Sequence, residues 1–464
     1  MTLVDLPGPT GTAEPVTPVT PVPNERPGST QVLALGPARL LAGVDHSRRR
    51  LGLEEHRAVH GALPVPRRRG RSEPDPLLQQ VTDSGLRGRG GAAFPFGIKL
   101  AAVASRRRRP VVVVNASEGE PLSAKDASLL TLTPHLVLDG AVACARAVGA
   151  RDVVVVVHRG DLATRDAVDA ALYELERDDG HDLRVRLEEV PDRYVSGEAS
   201  AVIRFLSGGP ALPTGPTPRP DQRGVDGRPT LLSNAETYAH VGLIARHGAE
   251  WFRQVGVPGD PGTRMVTVRH PSGGSSVLEV PSGLPAGDAL EAAGIDRTQV
   301  GAVLMGGFAG TWLDGADAWT TPLQAPGRGE SGVSPGVGLL APVPVGTCTL
   351  AETARITRWM AGESAQQCGP CLNGLPALAH GLQLLASGQG GLATLDRLHR
   401  WCGMVEGRGA CHHPGGVART VRSALTMAAD DAYAHAAGEP CPGSVGRPVI
   451  PVPGPALGSD TEWR

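Results

Sequence analysis

A glycine-rich stretch between residues 84 and 99 constrains the fold of this chain more than any other feature. It reads Ser-Gly-Leu-Arg-Gly-Arg-Gly-Gly-Ala-Ala-Phe-Pro-Phe-Gly-Ile-Lys. Glycine accepts backbone conformations that turn consecutive N–H groups toward one point, which is the geometry that holds a phosphate. The stretch therefore predicts a phosphate-binding loop. An ordinary glycine-rich surface loop is the alternative, because the chain contains 62 glycines.

Lysine is rare in this sequence, and its two positions are informative. Among 45 basic residues only Lys99 and Lys125 are lysine, and the others are arginine. A composition so biased toward arginine would place arginine here too, unless a compact and strongly hydrated ammonium group were required. Lys99, at the end of the glycine-rich stretch, is therefore a candidate partner of a phosphate.

Length and composition indicate a multi-domain protein with real hydrophobic cores. At roughly 150 residues per domain, 464 residues predict about three domains, and 41% of the residues are apolar. The net charge is only −2, and the short arginine runs lack interleaved aromatic residues, so nucleic-acid binding is not expected. The N-terminus has no apolar signal region, and no window of 18 or more apolar residues occurs. We therefore expect a cytoplasmic protein without a membrane span.

Seven cysteines suggest thiol or metal chemistry. An odd number in a long chain without a secretion signal argues against a disulfide framework. Cys368-Gly-Pro-Cys371 opens one predicted helix, and Cys411 lies at the start of another. Three such thiolates can share one iron–sulfur centre. Spacing alone leaves zinc and unligated buried thiols open as alternatives.

The hydrophobic pattern predicts an α/β domain, a small β domain and a helical domain. Valine runs at 111–114 and 153–157, with a predicted helix at 136–148 between them, are typical of a buried parallel sheet. The predicted boundaries are 31–250 for the α/β domain, 262–330 for the β domain and 345–436 for the helical domain, with disordered Pro-rich ends at 1–30 and 437–464.

Polar segments follow the predicted strands and open predicted helices. Asn115-Ala-Ser-Glu-Gly-Glu-Pro121 comes at the carboxyl end of a central strand, where open α/β sheets bind ligands. A capped turn is the equally good alternative. The segments at 194–198 and 234–237 are weaker candidates, because such residues cap helices more often than they bind ligands.

Taken in order, these motifs resemble the flavoprotein subunit family of respiratory complex I and its relatives in NAD-linked hydrogenases and formate dehydrogenases. The similarity covers roughly residues 75 to 430. It implies an α/β FMN-binding Rossmann-like domain, followed by a β-grasp (soluble-ligand-binding) domain and a C-terminal helical iron–sulfur domain. In such proteins FMN accepts a hydride from NADH and passes single electrons to a [4Fe–4S] cluster.

The resemblance also implies roles for individual residues. Cys368, Cys371 and Cys411 would ligate the cluster, and Phe94 and Glu120 would face the nicotinamide nucleotide. The residues that would hold FMN are Gly88, Gly90, Lys99, Asn115, Glu118, Gly197, Glu198, Asn234 and Thr237.

Several positions depart from the family pattern. Ala199 replaces a glutamate of the nucleotide side, and Pro216 and Arg219 replace a lysine and a phenylalanine there, which predicts slow or absent flavin reduction by NADH. The first cysteine of the family's Cys-x-x-Cys-x-x-Cys motif is Ala365. The smaller changes within the flavin segments are Ala93, Phe96, Ser117 and Ser233.

The loss of one cysteine leaves the fourth ligand of a [4Fe–4S] cluster open. Cys402 and Glu363 are the two candidates that the sequence offers. A cluster held by three thiolates would keep one labile iron.

The leading interpretation is an NADH dehydrogenase-like iron–sulfur flavoprotein. It would relay electrons between a pyridine nucleotide and either a small ferredoxin-like protein or other oxidoreductase subunits. One alternative is a non-enzymatic electron-transfer subunit that has lost nucleotide binding. A purely structural relative that holds zinc or nothing is the other.

Overall fold

The computed structural model describes residues 30–64, 75–178, 183–327, 332–454 and 463. The segment 1–30, for which the sequence predicts disorder, lies outside these residues except for Thr30.

The first part of the chain forms a parallel sheet covered by helices. The elements along this part of the chain are, in order, β1 (Thr30–Ala34), α1 (Leu53–His60), α2 (Pro76–Ser84), α3 (Phe96–Ala104), β2 (Val111–Asn115), α4 (Lys125–Leu132), α5 (Pro134–Val148), β3 (Asp152–His158), α6 (Leu162–Glu176), β4 (Arg184–Val190), α7 (Ala199–Leu206), β5 (Thr230–Asn234) and α8 (Ala235–Arg253). Four of the strands pair in the order β4-β3-β2-β5, all in parallel. The valines of β2 and β3 are buried on both faces, as the two valine runs predict.

Helices α5 and α8 pack with their backbones in close approach. A Cβ on Gly140 of α5 would lie 1.7 Å from the carbonyl oxygen of Tyr238 on α8, so only glycine fits there. The ring of Tyr238 meets Phe96 of α3 edge-on at 5.9 Å.

Among the described residues no single helix is long and apolar enough to cross a membrane. Within the same residues only α4 and α5 taken together, bent by 93°, reach that length and apolarity.

The second part of the chain forms a mixed sheet. Its elements are β6 (Gly256–Val257), β7 (Asp260–Pro261), β8 (Thr263–Arg269), β9 (Ser275–Pro281), α9 (Ala286–Ala292), β10 (Val300–Met305), β11 (Thr311–Asp314), α10 (Gly315–Thr320) and β12 (Leu339–Pro344). Six strands pair in the order β1-β9-β8-β12-β10-β11. The sheet therefore takes β1 from the start of the segment 31–250 predicted for the α/β domain, and β12 from beyond the predicted boundary at 330.

A buried carboxylate fixes the unexpected position of β1. Just after this strand, the backbone N–H groups of Arg39, Leu40 and Leu41 all donate to Glu279 of β9. The carboxylate is buried, and Thr263 donates to it as well, at 2.6 Å. The chain is thus anchored to the second sheet before it enters the first one.

The last part of the chain is helical, as predicted. Its helices are α11 (Thr349–Gly362), a π-helical turn (Pro370–Gly374), α12 (Leu375–Ala386), α13 (Gly391–Val405), α14 (His413–Met427) and α15 (Ala429–Ala436). α14 and α15 are separate helices, because Ala428 between them leaves the helical conformation at φ −104° and ψ 44°.

The tail corrects one prediction. The composition predicts disorder for residues 437–464, yet the described part to residue 454 contacts α11. Ile450 is buried, and Glu352 of α11 accepts the N–H groups of Val449 and Ile450 at 3.0 and 3.1 Å. Proline removes backbone donors but does not prevent docking, because the remaining donors and apolar side chains find partners.

Candidate functional site

The carboxyl ends of β2 and β5 bring two predicted segments together. Asn115 and Asn234 are register partners in this parallel pair, so both side chains lie at the same edge of the sheet. Asn234 donates through Nδ2 to Asp126 at 2.6 Å, and its Oδ1 accepts from Glu236 N at 3.1 Å. This edge is the centre of the candidate site.

The glycine-rich stretch lies over this edge. A Cβ on Gly90 would approach Cβ of Asn234 to 3.2 Å, so the loop passes close to the end of β5. Arg89 pins the loop, since its backbone N–H donates to Oγ1 of Thr237 at 3.0 Å and its guanidinium pairs with buried Asp260 at 2.7 Å. Thr237, predicted to hold FMN, therefore contacts the loop directly.

Lys99 is a largely buried cation whose described contact is a neutral one. Its Nζ donates to the carbonyl oxygen of Leu232 at 2.9 Å, and among the described residues it forms no ion pair. Burial lowers the pKa of Lys99, since the charged form loses hydration. An anion beside Lys99 would compensate for this lost hydration, and the phosphate of FMN is such an anion.

Lys125, the other lysine, is held quite differently. Its buried ammonium contacts Asp126 at 2.7 Å, Glu236 at 3.1 Å and Asn234 at 3.3 Å. Burial lowers the pKa of Lys125, but the Asp126 and Glu236 carboxylates outweigh it, so the net shift is upward. A compact ammonium suits three acceptors grouped around one point. This explains why position 125 has lysine in a chain whose other basic residues are almost all arginine.

Two carboxyl groups of the acidic segment are buried with raised pKa values. Burial, and after it the charge of Asp126, raises the pKa of Glu118 to about 7. Burial also raises the pKa of Glu120 to about 8. Oε2 of Glu120 accepts from Phe308 N at 2.7 Å, whereas its buried Oε1 has no hydrogen-bond partner among the described residues. An unpartnered buried oxygen at this place fits a polar group of a bound flavin or nucleotide.

The segment 194–198 packs tightly against the acidic segment 115–121. A Cβ on Gly197 would lie 2.7 Å from the carbonyl oxygen of Ser117, and Asn115 donates to the carbonyl oxygen of Gly197 at 2.8 Å. Glu198 caps α7 by accepting from Ser200 N and Ala201 N.

Phe94, in the glycine-rich stretch, is 44% exposed, so its ring is accessible for stacking.

A small cavity of about 10 Å³, room for about one water molecule, lies beside the glycine loop. It is much smaller than the roughly 300–1,000 Å³ usual for small-molecule sites. Its lining includes Gly88, Gly91 and Glu236 from the first part of the chain and Met265 and Gly336 from the second. Of the residues predicted to hold FMN, Gly88 lines this cavity. Glu120, predicted to face the nicotinamide nucleotide, lies against Gly307 and Phe308.

The three predicted cluster ligands come together at the start of the π-helical turn and of α14. Burial, and after it the neighbouring thiols of Cys368 and Cys411, raises the pKa of Cys371 to about 12. Burial also raises the pKa of Cys411, and the carboxylate of Glu198 contributes to that increase. The cysteine site therefore lies next to the end of the predicted flavin segment.

Both predicted fourth ligands have other partners among the described residues. Glu363 is occupied by Nε of Arg193 at 3.1 Å and by Tyr194 N at 2.9 Å. Burial raises the pKa of Cys402 to about 11, and the charged groups acting on this thiol are Arg422 and Glu406 rather than the other cysteines. Buried Ser364 lies beside Cys371, and its hydroxyl group opposes the rise in the pKa of that thiol.

Aromatic side chains connect the acidic segment with the cysteine site. Phe308, whose N–H binds Glu120, meets Trp359 edge-on at 5.5 Å. Trp359 meets Tyr194 at 5.9 Å, and Tyr194 lies 5.3 Å from His413 at the start of α14. The two candidate centres are thus joined by packed side chains.

The Pro-rich loop at 210–229 borders the cysteine site. Gln367, next to Cys368, donates to the carbonyl oxygen of Pro213 at 3.0 Å. Arg219 is exposed and pairs with Asp221 at 3.4 Å. The loop therefore lies against the segment that carries Cys368.

Comparison with known proteins agrees with both halves of this site. Residues 81–243 match the family described as the Nuo51 FMN-binding domain, and residues 351–435 match the NADH-ubiquinone oxidoreductase-F iron-sulfur binding region. The F subunit of NADH-quinone oxidoreductase from Streptomyces coelicolor is 30% identical over 387 residues, which are 80% of this chain and 85% of the relative. The chain belongs to this family of NADH-quinone oxidoreductase subunits.

Another relative and a solved structure extend the comparison. The F 2 subunit of NADH-quinone oxidoreductase from Rhizobium meliloti is 28% identical over 83% of this chain and 93% of its own length. An NAD+-reducing [NiFe]-hydrogenase in the H2-reduced state is similar in structure, with a TM-score of 0.72 and 29% identity. That match covers 78% of this chain but only 63% of the hydrogenase chain.

Membership of this family confirms the predicted relationship and its two cofactor-binding parts, for FMN and for a [4Fe–4S] cluster. It also confirms the interpretation as an NADH dehydrogenase-like oxidoreductase, and the non-enzymatic alternative is not favoured. The relatives are named as subunits, so other oxidoreductase subunits are the partners that the family supports.

Sequence reasoning missed the buried network around Asp260. This carboxylate accepts from both Arg89 and Arg264, at 2.7 Å each, and from Ala325 N at 3.0 Å. No local pattern marks it, because its partners lie in three separate segments. Its role is to hold the glycine loop against the second sheet.

Proposed function

We propose that this chain relays electrons between a pyridine nucleotide and a redox partner. FMN would exchange a hydride with the nucleotide and single electrons with a [4Fe–4S] cluster. The observation that carries the proposal is Lys99, a largely buried ammonium without an ion pair among the described residues, at the end of the glycine-rich stretch. Its hydrogen bond to Leu232 joins it to β5, and open α/β sheets bind ligands at the carboxyl ends of such strands.

The proposed binding residues divide by what they offer. Gly88 and Gly90 leave room for the phosphate, and Lys99 supplies its counter-charge. The polar groups proposed to hold the rest of FMN are Asn115, Glu118, Gly197, Glu198, Asn234 and Thr237. Cys368, Cys371 and Cys411 are the proposed cluster ligands.

The nucleotide would lie between Phe94 and Glu120. Phe94 offers an exposed face for stacking, and Oε1 of Glu120 offers a buried acceptor. With a pKa of about 8, Glu120 holds a proton at neutral pH and can donate one hydrogen bond as well. Ala199 removes a carboxylate from this side, so we expect NADH to reduce the flavin slowly.

Four finer assignments accompany the proposal. The second sheet, with α9 and α10 on it, is proposed to be a β-grasp domain enlarged by β1. The proposed domain boundaries are those predicted from the sequence, with β1 and β12 assigned to the second sheet. The partner is proposed to be a ferredoxin-like protein or another oxidoreductase subunit, and the location is proposed to be the cytoplasm.

Anaerobically purified protein tests the proposal through its visible spectrum. Flavin bands over a broad iron–sulfur absorption are expected, and a spectrum with neither would overturn it. Lys99→Ala should lower flavin content without changing iron content, since a charge-assisted hydrogen bond to phosphate contributes about 1.5–3 kcal/mol. The exposed Arg109→Ala is the control and should keep its flavin. Unchanged flavin in Lys99→Ala would contradict the site, and stopped-flow mixing with NADH would measure the donor reaction.

A further inference from the structure

A second group of thiols lies at the far end of α11 from the cysteine site. Cys348, His435 and Cys441 place one ligand atom each within 4.8 Å of the other two. They are the one group of three or more His, Cys, Asp or Glu residues in the described part of the chain with this property. Cys348 and Cys441 both lie outside the matched iron–sulfur region at 351–435.

We propose that Cys348, His435 and Cys441 bind one zinc ion. Two thiolates and one imidazole are the donor set that Zn²⁺ prefers among the common divalent ions, and a water molecule or anion would complete the tetrahedron. Zinc bonds of about 2.3 Å to sulfur and about 2.0–2.1 Å to nitrogen separate such donors by about 3.6 Å at tetrahedral angles. Sγ of Cys348 lies 4.0 Å from Nε2 of His435, so this pair would have to close by a few tenths of an ångström. All three donor atoms lie within 4.8 Å of one another, so no pair would have to close by more than about 1.2 Å.

The imidazole is oriented for this role. Nδ1 of His435 lies 3.2 Å from the carbonyl oxygen of Leu385, and Nε2 accepts the N–H of Cys441 at 2.9 Å. The ring therefore carries its proton on Nδ1 and presents the Nε2 lone pair to the two thiols. A backbone carbonyl bound to the second ring nitrogen is the usual support of a metal-binding histidine. A metal bound at Nε2 would take the place of the hydrogen bond from Cys441 N–H, because both use the same lone pair.

A backbone donor faces the sulfur of Cys348. Cys348 is the N-cap of α11, and its Sγ accepts from Ala351 N at 3.4 Å. Burial raises the pKa of Cys348 to about 12 and the Ala351 N–H opposes that increase, so the thiol would lose its proton when a metal binds, as metal ligation by cysteine requires. Cys348 and His435 are buried, and Cys441 is half-buried, so an ion could enter from the side of Cys441.

The zinc ion would fasten the tail to the start of α11. A Cβ on Gly443 would lie 2.2 Å from the carbonyl oxygen of Gly346 and 2.7 Å from the backbone nitrogen of Cys348, so the tail already lies against this turn. The 14 residues of α11 span about 21 Å, which separates this site from the cysteine site beyond its other end. Zinc is not redox-active, so its role here would be structural.

Metal analysis of the full-length protein, purified anaerobically without chelators, tests the proposal. About one zinc per chain is expected beside the iron. Cys348→Ser, Cys441→Ser and His435→Gln should each lose zinc and keep iron, whereas Cys371→Ser should lose iron and keep zinc. Cys402→Ser, which alters a buried thiol outside both groups, should keep both metals.

A second measurement covers variants that fail to fold. Cobalt added to metal-depleted wild-type protein should give the absorption of a tetrahedral thiolate complex, and zinc should displace it. Wild-type protein without zinc and without cobalt binding would overturn the proposal. Zinc retained in both cysteine variants, or a disulfide between Cys348 and Cys441 found by mass spectrometry of the purified protein, would overturn it as well.

Discussion

At the scale of single residues, Glu120 shows how a binding site can reduce stability. Its carboxyl group is buried with one oxygen unpartnered among the described residues, and burial raises the pKa to about 8 from 4.5. The native state thus holds a proton that the unfolded chain releases above pH 4.5. The free energy of unfolding of the cofactor-free protein should therefore fall as pH rises from about 5 to 8, by up to about 5 kcal/mol.

Glu120→Gln should weaken this pH dependence, because glutamine does not titrate, and what remains up to about pH 7 should come from Glu118, whose pKa is also raised. Urea unfolding of cofactor-free wild type and variant at about pH 5.5 and about pH 8.5, on either side of the expected transition, would measure it. Glu250→Gln, at an exposed position, is the control and should follow the wild type. The same loss of stability in Glu120→Gln as in the wild type would show that another group is responsible.

At the scale of elements, the packing of α5 on α8 depends on one missing side chain. The Cβ of Gly140→Ala would fall 1.7 Å from the Tyr238 carbonyl oxygen, so the helices must separate. We expect a loss of about 3 kcal/mol or more in the free energy of unfolding, at or beyond the upper end of the usual range for overpacking, about 1–3 kcal/mol. Gly403→Ala in α13, where a Cβ meets nothing within 4 Å, should instead gain about 0.5–1 kcal/mol. Equal effects in the two variants would contradict this explanation.

The second prediction at this scale concerns the loop between α11 and the π-helical turn, where Ala365 lies. With three thiolates, one iron of the proposed cluster lacks a cysteine, so mild oxidation should release it and give the EPR signal of a [3Fe–4S] centre. Ala365→Cys should restore a fourth thiolate and suppress that signal. Cys402→Ser should oxidise like the wild type, because the charged groups that act on Cys402 are Arg422 and Glu406 rather than the other thiols. An oxidised signal of equal size in Ala365→Cys would exclude residue 365 as a ligand position.

At the scale of the whole molecule, a buried ion pair joins the α/β part to the helical part. Arg193, which follows β4, pairs with Glu363 at the end of α11, and both side chains are buried. Glu363→Ala leaves the guanidinium without its carboxylate, which should lower the free energy of unfolding by about 3–5 kcal/mol. Iron content should not change, since Glu363 is already occupied by Arg193 and Tyr194 N. The double variant Arg193→Met/Glu363→Met should recover much of the stability, and iron loss in Glu363→Ala would instead identify a cluster ligand.

The candidate site could be anticipated where its signals are local. The glycine loop, the acidic segment after β2 and the Cys-x-x-Cys turn each lie within a few residues of sequence. Their order along the chain is what made the resemblance to one family specific. The partners of these motifs could not be read in the same way. Thr237 contacts the loop of Arg89 across 148 positions, and Phe308 contacts Glu120 across 188.

The sequence by itself determined the elements and the cofactor-binding motifs of this protein, because hydrophobic periodicity, glycine and cysteine spacing act over short distances along the chain. Only the tertiary structure decided that β1 joins the second sheet, that the tail docks on α11 and that Cys348, His435 and Cys441 meet. Each of these depends on groups from distant segments satisfying one another's hydrogen bonds and burying shared apolar surface. No short pattern encodes such pairings, since they follow from how the elements pack.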